Sequence, residues 1–383
     1  MNYLAILDDL VTKYISLNDA DPCLCGSGKP FRECHKLSEE QRPLDFHRIQ
    51  KGMLKVFSGK TCYFQDENCS STKTASHSIP RASLTTISRE NHVLRFISPN
   101  IPELSRVAEF DQIPPSEVGI SELGTFNGFC SHHDDSLFQP LEKRAFRPMA
   151  EQSCLLLFRA VCKELYVQTE LKKMIPVHKQ LIETKGSPEY KHLLNLNNIL
   201  EFLFSHKSIS EIISDYEQIL LDIRSESFGS YSSLTIVTED PPPVNCCSYV
   251  NPVFYLDGKI YQDYNDLSVD LESFSFTTLA SGGRGYFHFC WSNSTSFNSF
   301  FKQLLEVERH RLNDFLIQLV FAFSENHAFS PDWWDSLSTI KRRRIMKIFY
   351  SDIVNRPRYH NPIDGFRYTG FSNMVVTSID RQF

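Results

Sequence analysis

Apolar residues recur at helical spacing at the start of the chain. Leu4, Ile6, Leu7, Leu10, Val11 and Ile15 fall roughly on one side, which predicts a short amphipathic helix over residues 1–19. A cysteine-bearing stretch, Asp19 to Lys36, follows. Residues 38–150 read as loop-rich, with short strand-like pieces such as HVLRFIS. From about Pro140 to Ile223 the pattern becomes helical. Met149 to Met174 is apolar-periodic and free of Pro and Gly, and further helices are expected at Leu193–Ser205 and Ile209–Ile223. The character then changes. SLTIVTED, ended by Pro241–Pro243, predicts a strand and its breaker, and VFYLDG, ESFSFTTLA and GYFHFCW predict further strands. Residues 297–324 and 331–350 read as helices. The expected class is therefore α+β: an N-terminal helix with a cysteine knuckle (1–37), a second cysteine-bearing module (38–140), and a mixed helix and antiparallel-sheet domain (141–383).

Composition narrows this picture. A chain of 383 residues suggests two or three domains, and 41% hydrophobic with 22% charged residues is ordinary for globular proteins. The 30 phenylalanines point to aromatic cores. A net charge of −6 argues against a globally basic nucleic-acid binder but leaves room for a local basic patch. No stretch approaches the roughly 18 apolar residues of a membrane span. The eleven cysteines are grouped at ligand spacing, so metal binding in a reducing compartment, the cytoplasm, is a better expectation than a disulfide framework.

The stretch DPCLCGSGKPFRECHK reads C-x-C-x8-C-H. Thiolates and imidazole are preferred zinc ligands, and Cys23, Cys25, Cys34 and His35 complete a closed tetrahedral set. Gly26 and Gly28 permit the tight turn and are expected to leave amides for the sulfurs. These residues resemble the SEC-C motif, named for the C-terminal tail of the SecA translocase. The resemblance covers the CGSGK core and the final CH. It implies a zinc-binding accessory that contacts proteins or ribosomes, and it implies no reaction.

A second constellation lies downstream. Cys62 and Cys69, with Cys130 and His133 of GFCSHHDDSLF, would make another closed zinc set. His77 of SHSIPRASL lies between the pairs. This order resembles the HNH, or ββα-metal, nucleases that carry a structural zinc. The resemblance implies His77 as general base and Asp134, directly after the last ligand, as a holder of catalytic Mg²⁺ or Mn²⁺. Asn91 is a weak counterpart of the middle Asn. Ser76 stands where those nucleases often carry a metal-binding residue. Alternative readings make His77 a zinc ligand, exchange His132 with His133, or use Asp134 and Asp135 to cap the helix SLFQPLE. Arg81 could grip a phosphate or pair with Asp134. Nucleic acid is thus a candidate substrate, in a setting such as bacterial or phage defence. A non-catalytic adaptor for protein or nucleic acid is the competing reading.

Other signals are weaker. Ser281–Gly285 is expected to be a hairpin turn, Cys246 and Cys247 inert neighbours, and Cys154 and Cys162 core residues on a helix. Trp333 and Trp334 read as core or staple residues. Lys341, Arg342, Arg343, Arg344 and Lys347 belong to a basic run over 340–358 that could meet phosphates or simply face solvent.

Overall fold

A computed structural model describes residues 3–38, 57–96, 113–185, 191–264, 266–355 and 369–383. The architecture is mixed helix and antiparallel sheet. Helix α1 (Tyr3–Ser16) leads into the knuckle, which holds one 3-10 turn at Phe31–Glu33. Then come β1 (Lys73–His77), α2 (Arg81–Ile87), β2 (His92–Arg95), β3 (Ser116–Gly119), β4 (Thr125–Cys130) and two short helices, α3 (Ser131–Leu137) and α4 (Gln139–Glu142). Three longer helices follow: α5 (Ala150–Leu171), α6 (Ile175–Lys185) and α7 (Lys191–Arg224). The remainder is β5 (Tyr231–Thr238), β6 (Val244–Val250), β7 (Phe274–Ser281), β8 (Arg284–Ser292), α8 (Phe297–Glu306), α9 (Arg309–Phe323), β9 (His327–Phe329), α10 (Pro331–Ser336), α11 (Thr339–Asn355) and β10 (Val376–Gln382).

Eight strands form one sheet in the order β10-β5-β8-β7-β6-β9-β2-β3, and β1 and β4 pair separately. Every pairing is antiparallel. The sheet therefore runs across residue 140, because β9 takes in the β2–β3 pair at Leu94↔Phe329. Side chains alternate across it, as a sheet covered on both faces requires. Phe287, Phe289 and Trp291 of β8 enter an aromatic core with Phe300, Phe301 and Phe315 of α8 and α9. Cys290, on the opposite face, joins Phe158 and Val161 of α5. Cys246 and Cys247 split between the two faces in the same way and remain free thiols. The expected hairpin is present: Ser281 pairs with Arg284, and Gly282 and Gly283, at φ 58° and 76°, occupy the two turn positions that need the left-handed region.

Several expected elements differ. The two helices expected over 193–223 are one, α7, of 34 residues. His206–Ser208 continues it, and Lys207 is tied to Glu211 one turn on at 3.0 Å. VFYLDG is not a strand. Tyr255 and Lys259 close a local loop (2.7 Å, amide to carbonyl) around Gly258 at φ 85°, with an isolated bridge at Phe254↔Ile260. The helix expected over 297–324 breaks at Val307 and Glu308, where the Glu308 carbonyl accepts the amides that begin α9. The one expected over 331–350 is α10 and α11, divided at Leu337 and Ser338. Trp334 is buried in the main core and Trp333 packs against it, while Cys154 and Cys162 are fully buried on α5. Among the described residues no helix is long and apolar enough to cross a membrane.

Candidate metal centres

The knuckle is built by its own backbone. The Cys23 amide donates to the Lys29 carbonyl (2.8 Å), Phe31 to Asp21 (2.8 Å) and Cys34 to Phe31 (3.1 Å). Gly26 and Gly28, at φ 77° and 70°, turn the chain between Cys25 and Cys34. The Gly26 amide goes to the Cys23 carbonyl rather than to a sulfur, and the Ser27 hydroxyl approaches Cys34 Sγ at 3.3 Å. Cys23, Cys25, Cys34 and His35 are all buried, with their ligand atoms within 4.8 Å of one another.

The spacing identifies what the centre suits. Nδ1 of His35 lies 3.3 Å from Cys23 Sγ and 3.2 Å from Cys34 Sγ, and Cys25 and Cys34 sulfurs are 3.6 Å apart. One ring nitrogen carries at most one proton, so it cannot hydrogen-bond both sulfurs as donor. An ion bonded tetrahedrally to three sulfurs and a nitrogen sets sulfurs ~3.8 Å apart and sulfur to nitrogen ~3.5 Å, close to these separations. In the metal-free chain the crowding divides the thiols: hydrogen bonds from Cys23 and Cys34 draw Cys25 down, and Cys23 is pushed up. Burial opposes a charged His35, yet the Cys25 and Cys34 sulfurs outweigh it and hold its pKa at about 9. A bound cation would displace that proton and make all three sulfurs thiolates.

The second group, Cys62, Cys69, Cys130 and His133, meets the same criterion, with ligand atoms within 4.8 Å. Its parts come from distant segments. The Thr61 and Tyr63 amides donate to the Asn127 and Gly128 carbonyls of β4 (3.0 and 2.9 Å), which pins Cys62 beside Cys130. Cys130 is the N-cap of α3, its sulfur accepting from the His133 amide at 3.5 Å. His133 Nδ1 faces three sulfurs, at 3.3 Å from Cys62 and Cys130 and 3.6 Å from Cys69. Burial pushes the Cys62 thiol up to about 11. Cys130, against its own burial, is drawn down to about 5 chiefly by the His133 amide.

Behind His133 stands a residue the sequence reading missed. Asp66 Oδ1 lies 3.1 Å from His133 Nε2. A carboxylate on the far nitrogen fixes the tautomer that presents Nδ1 to a metal and strengthens it as a ligand. Some burial opposes its charge, but the Asn68 amide and His133 hold Asp66 below the usual carboxylate range. The available signal was an acid in the short loop between two cysteine ligands. At the first centre the corresponding atom, His35 Nε2, is buried without a partner.

His77 ends β1, paired with Thr125, and its Nε2 meets the Ile120 carbonyl at 3.2 Å. Asp134 lies in the first turn of α3. No group of three or more potential ligands includes either residue among those described: His77 stands at the Thr125 end of the β1–β4 pair, away from Cys130, and Asp134 follows the Cys130 end. His132 is exposed with its ring against that of His133, and it is His133 that faces the sulfurs. Asp135 pairs with Lys143 at 2.8 Å, and Cys130 rather than an aspartate caps the helix. Asn91 sits in a left-handed turn at φ 62°, its carbonyl accepting the Ile120 amide at 3.0 Å. Within the basic run, Lys341 donates to the Gly370 carbonyl (2.5 Å) and Arg342 to those of Trp334 and Asp335 (2.8 and 2.7 Å), so those two cations serve the fold. The end of the run, 356–358, lies outside the described residues.

Comparison with known families agrees with the first centre: residues 20–36 match the SEC-C motif. No curated protein and no solved structure matches the chain.

Proposed function

We propose that residues 62–138 form a zinc-ordered centre of the ββα type that hydrolyses nucleic-acid phosphodiesters with Mg²⁺ or Mn²⁺. The observation that carries this reading is the order of the unit: β1 and β4 pair antiparallel, α3 begins at the next residue, and the Cys/His group sits at that junction. His77 is the general base. Its Nε2–H donates to the Ile120 carbonyl, which leaves Nδ1 as the basic nitrogen able to take a proton from water. Asp134 is a hard oxygen ligand in the first turn of α3; it follows the Cys130 end of the β1–β4 pair while His77 stands at the Thr125 end, so the two would have to approach on binding substrate to serve one phosphate. A cation there would neutralise charge on the scissile phosphate.

A second reading makes the chain a zinc-stapled adaptor that binds protein, through the knuckle, or nucleic acid. It is favoured by the donor sets themselves. Each supplies four protein ligands, which is the closed pattern of a structural site with no position left for substrate.

Replacing His77 by Ala separates the two. The nuclease reading expects Mg²⁺- or Mn²⁺-dependent cleavage of DNA or RNA by the wild type. It also expects a loss of about 10²–10⁴-fold in H77A with zinc content and folding unchanged. Absence of cleavage by the wild type with either ion, or loss of zinc in H77A, overturns it.

A further inference from the structure

A recess of about 850 Å³ lies where β4, α5, the β2 end and the sheet meet. Its size is within the range of about 300–1,000 Å³ for small-molecule sites. Arg95, Lys163, Glu122, Glu164 and Glu325 all line it, together with Phe126 of β4 and Tyr249 of β6. These residues come from six separate segments. Two cations and three carboxylates converging on one concavity is not what core packing produces.

The two cations are the unusual part. Among the described residues the Arg95 and Lys163 side chains make no ion pair or hydrogen bond. Arg95 Nε is buried without a partner, and Lys163 Nζ has only the Phe126 ring, 5.6 Å from its centroid. Burial pushes both below their ordinary range; Glu325 opposes this for Arg95 and Glu164 for Lys163, while Lys163 also feels the repulsion of Arg95. Burial also pushes Glu164 and Glu325 up, although Glu325 is exposed at the surface. Glu164 is engaged by Gln168 at 2.7 Å. Glu325 and Glu164 offset these charges from a distance, but among the described residues neither carboxylate reaches ion-pair contact, so both cations keep their donors for a ligand. A carboxylate ligand would bring a single charge, whereas a phosphomonoester brings about two, with several acceptor oxygens.

We propose that this recess binds a small phosphorylated organic molecule, with Arg95 and Lys163 holding the phosphate. Glu164 and Glu325 accept hydrogen bonds from hydroxyl or amino groups of its body, and Phe126 and Tyr249 supply apolar wall. The site is separate from the proposed hydrolytic residues: neither His77 nor Asp134 lines it, although Thr125, the strand partner of His77, does. Its test therefore reads binding, whatever the fate of the nuclease assignment.

The zinc-loaded full chain is titrated calorimetrically, and its melting temperature followed, with AMP, ribose 5-phosphate and inorganic phosphate at constant ionic strength. The expected result is saturable binding of at least one ester, tighter than inorganic phosphate. R95M and K163M should each weaken it roughly ten- to hundredfold, the size of a lost charge-assisted hydrogen bond. Both variants should melt no lower than the wild type without ligand, because neither cation makes an ion pair or hydrogen bond among the described residues. E164Q tests the other wall and should weaken the ester without weakening inorganic phosphate. The proposal is overturned if no ester binds, if inorganic phosphate binds as tightly as either ester, or if the double variant R95M/K163M still binds. Lower melting of both single variants would also overturn it, since the cations would then be structural.

Discussion

The two Cys/His groups have the same donor set and opposite origins. In the knuckle all four ligands fall between residues 23 and 35, and the turns that gather them are local. In the second group the ligands run from Cys62 to His133, so the chain must first pair β1 with β4 and lay residues 61–63 along β4. The surroundings differ as well. The knuckle packs with α1 on the N-terminal half of α7, through Leu196, Ile199 and Leu200. The second group is continuous with a core of Phe129, Phe158 and Val161 and with Ile212 and Ile219 from the C-terminal half of the same helix. A single helix of 34 residues, about 50 Å long, thus carries both. The lesson is that an identical ligand set can be either an appendage or a keystone, according to how much chain its metal closes.

The strongest way to break this comparison is to remove one sulfur from each. Cys130→Ser and Cys34→Ser should each lower zinc, measured by elemental analysis of protein purified without added metal, from two equivalents to one. Structural zinc contributes on the order of 10 kcal/mol in small zinc modules, as large as the roughly 5–15 kcal/mol that holds a domain together. Cys130→Ser should therefore abolish amide-exchange protection across β1, β4 and α3 and loosen α5. Cys34→Ser should lose protection only in 19–36, α1 and the first turns of α7. Equal disruption of the β1–β4 unit by both substitutions would end the distinction.

A smaller effect sharpens it. Asp66→Asn keeps an acceptor near His133 Nε2 and removes the charge. Loss of such a partner typically weakens metal binding about 10–100-fold. Chelator competition should show one of the two zincs leaving earlier in this variant, and that zinc should be the one absent from Cys130→Ser. Unchanged competition would make Asp66 a bystander and put the two histidines on the same footing.

The same contrast explains what could be read in advance. The knuckle was legible to the residue because every constraint lies within one short window, and the SGGRG hairpin for the same reason. Helix α5 was legible from its apolar period. The ligands of the second group were visible as types, but their closure depends on pairing Lys73 with Cys130 across a long interval, which spacing does not encode. β6 was missed because VNCCSYV is buried on both faces for much of its length and so lacks alternation. β10 was missed because its partner, β5, is remote in sequence. The recess around Arg95, Lys163, Glu164 and Glu325 has no sequence signature at all, since its residues meet only after the sheet has formed. Asp66 was written in the sequence, but only the fold tells which histidine it stands behind.

The smallest expected effect concerns the seam between the knuckle and α7. Asn195 is fully buried, and its Nδ2 donates to the His35 carbonyl (2.7 Å) and lies 3.1 Å from the Tyr14 hydroxyl, while its Oδ1 has no partner. One side chain thus ties α7 to α1 and to the last ligand of the first centre, through the backbone of His35 and not its ring. Asn195→Ala removes these bonds and leaves the carbonyl unpaired, a loss of about 1–3 kcal/mol, but it also removes the buried unpartnered oxygen. The net cost should fall near the lower end, about 1 kcal/mol, a factor of about five in the opening equilibrium. Amide exchange in residues 19–36 should accelerate by that factor, with two zincs retained and no change in β1, β4 or α3. If the knuckle is an appendage folded by its own metal, it can loosen from its helix without opening. Loss of zinc in Asn195→Ala would mean that α7 helps to hold the ligands, and that the first centre, like the second, depends on distant chain.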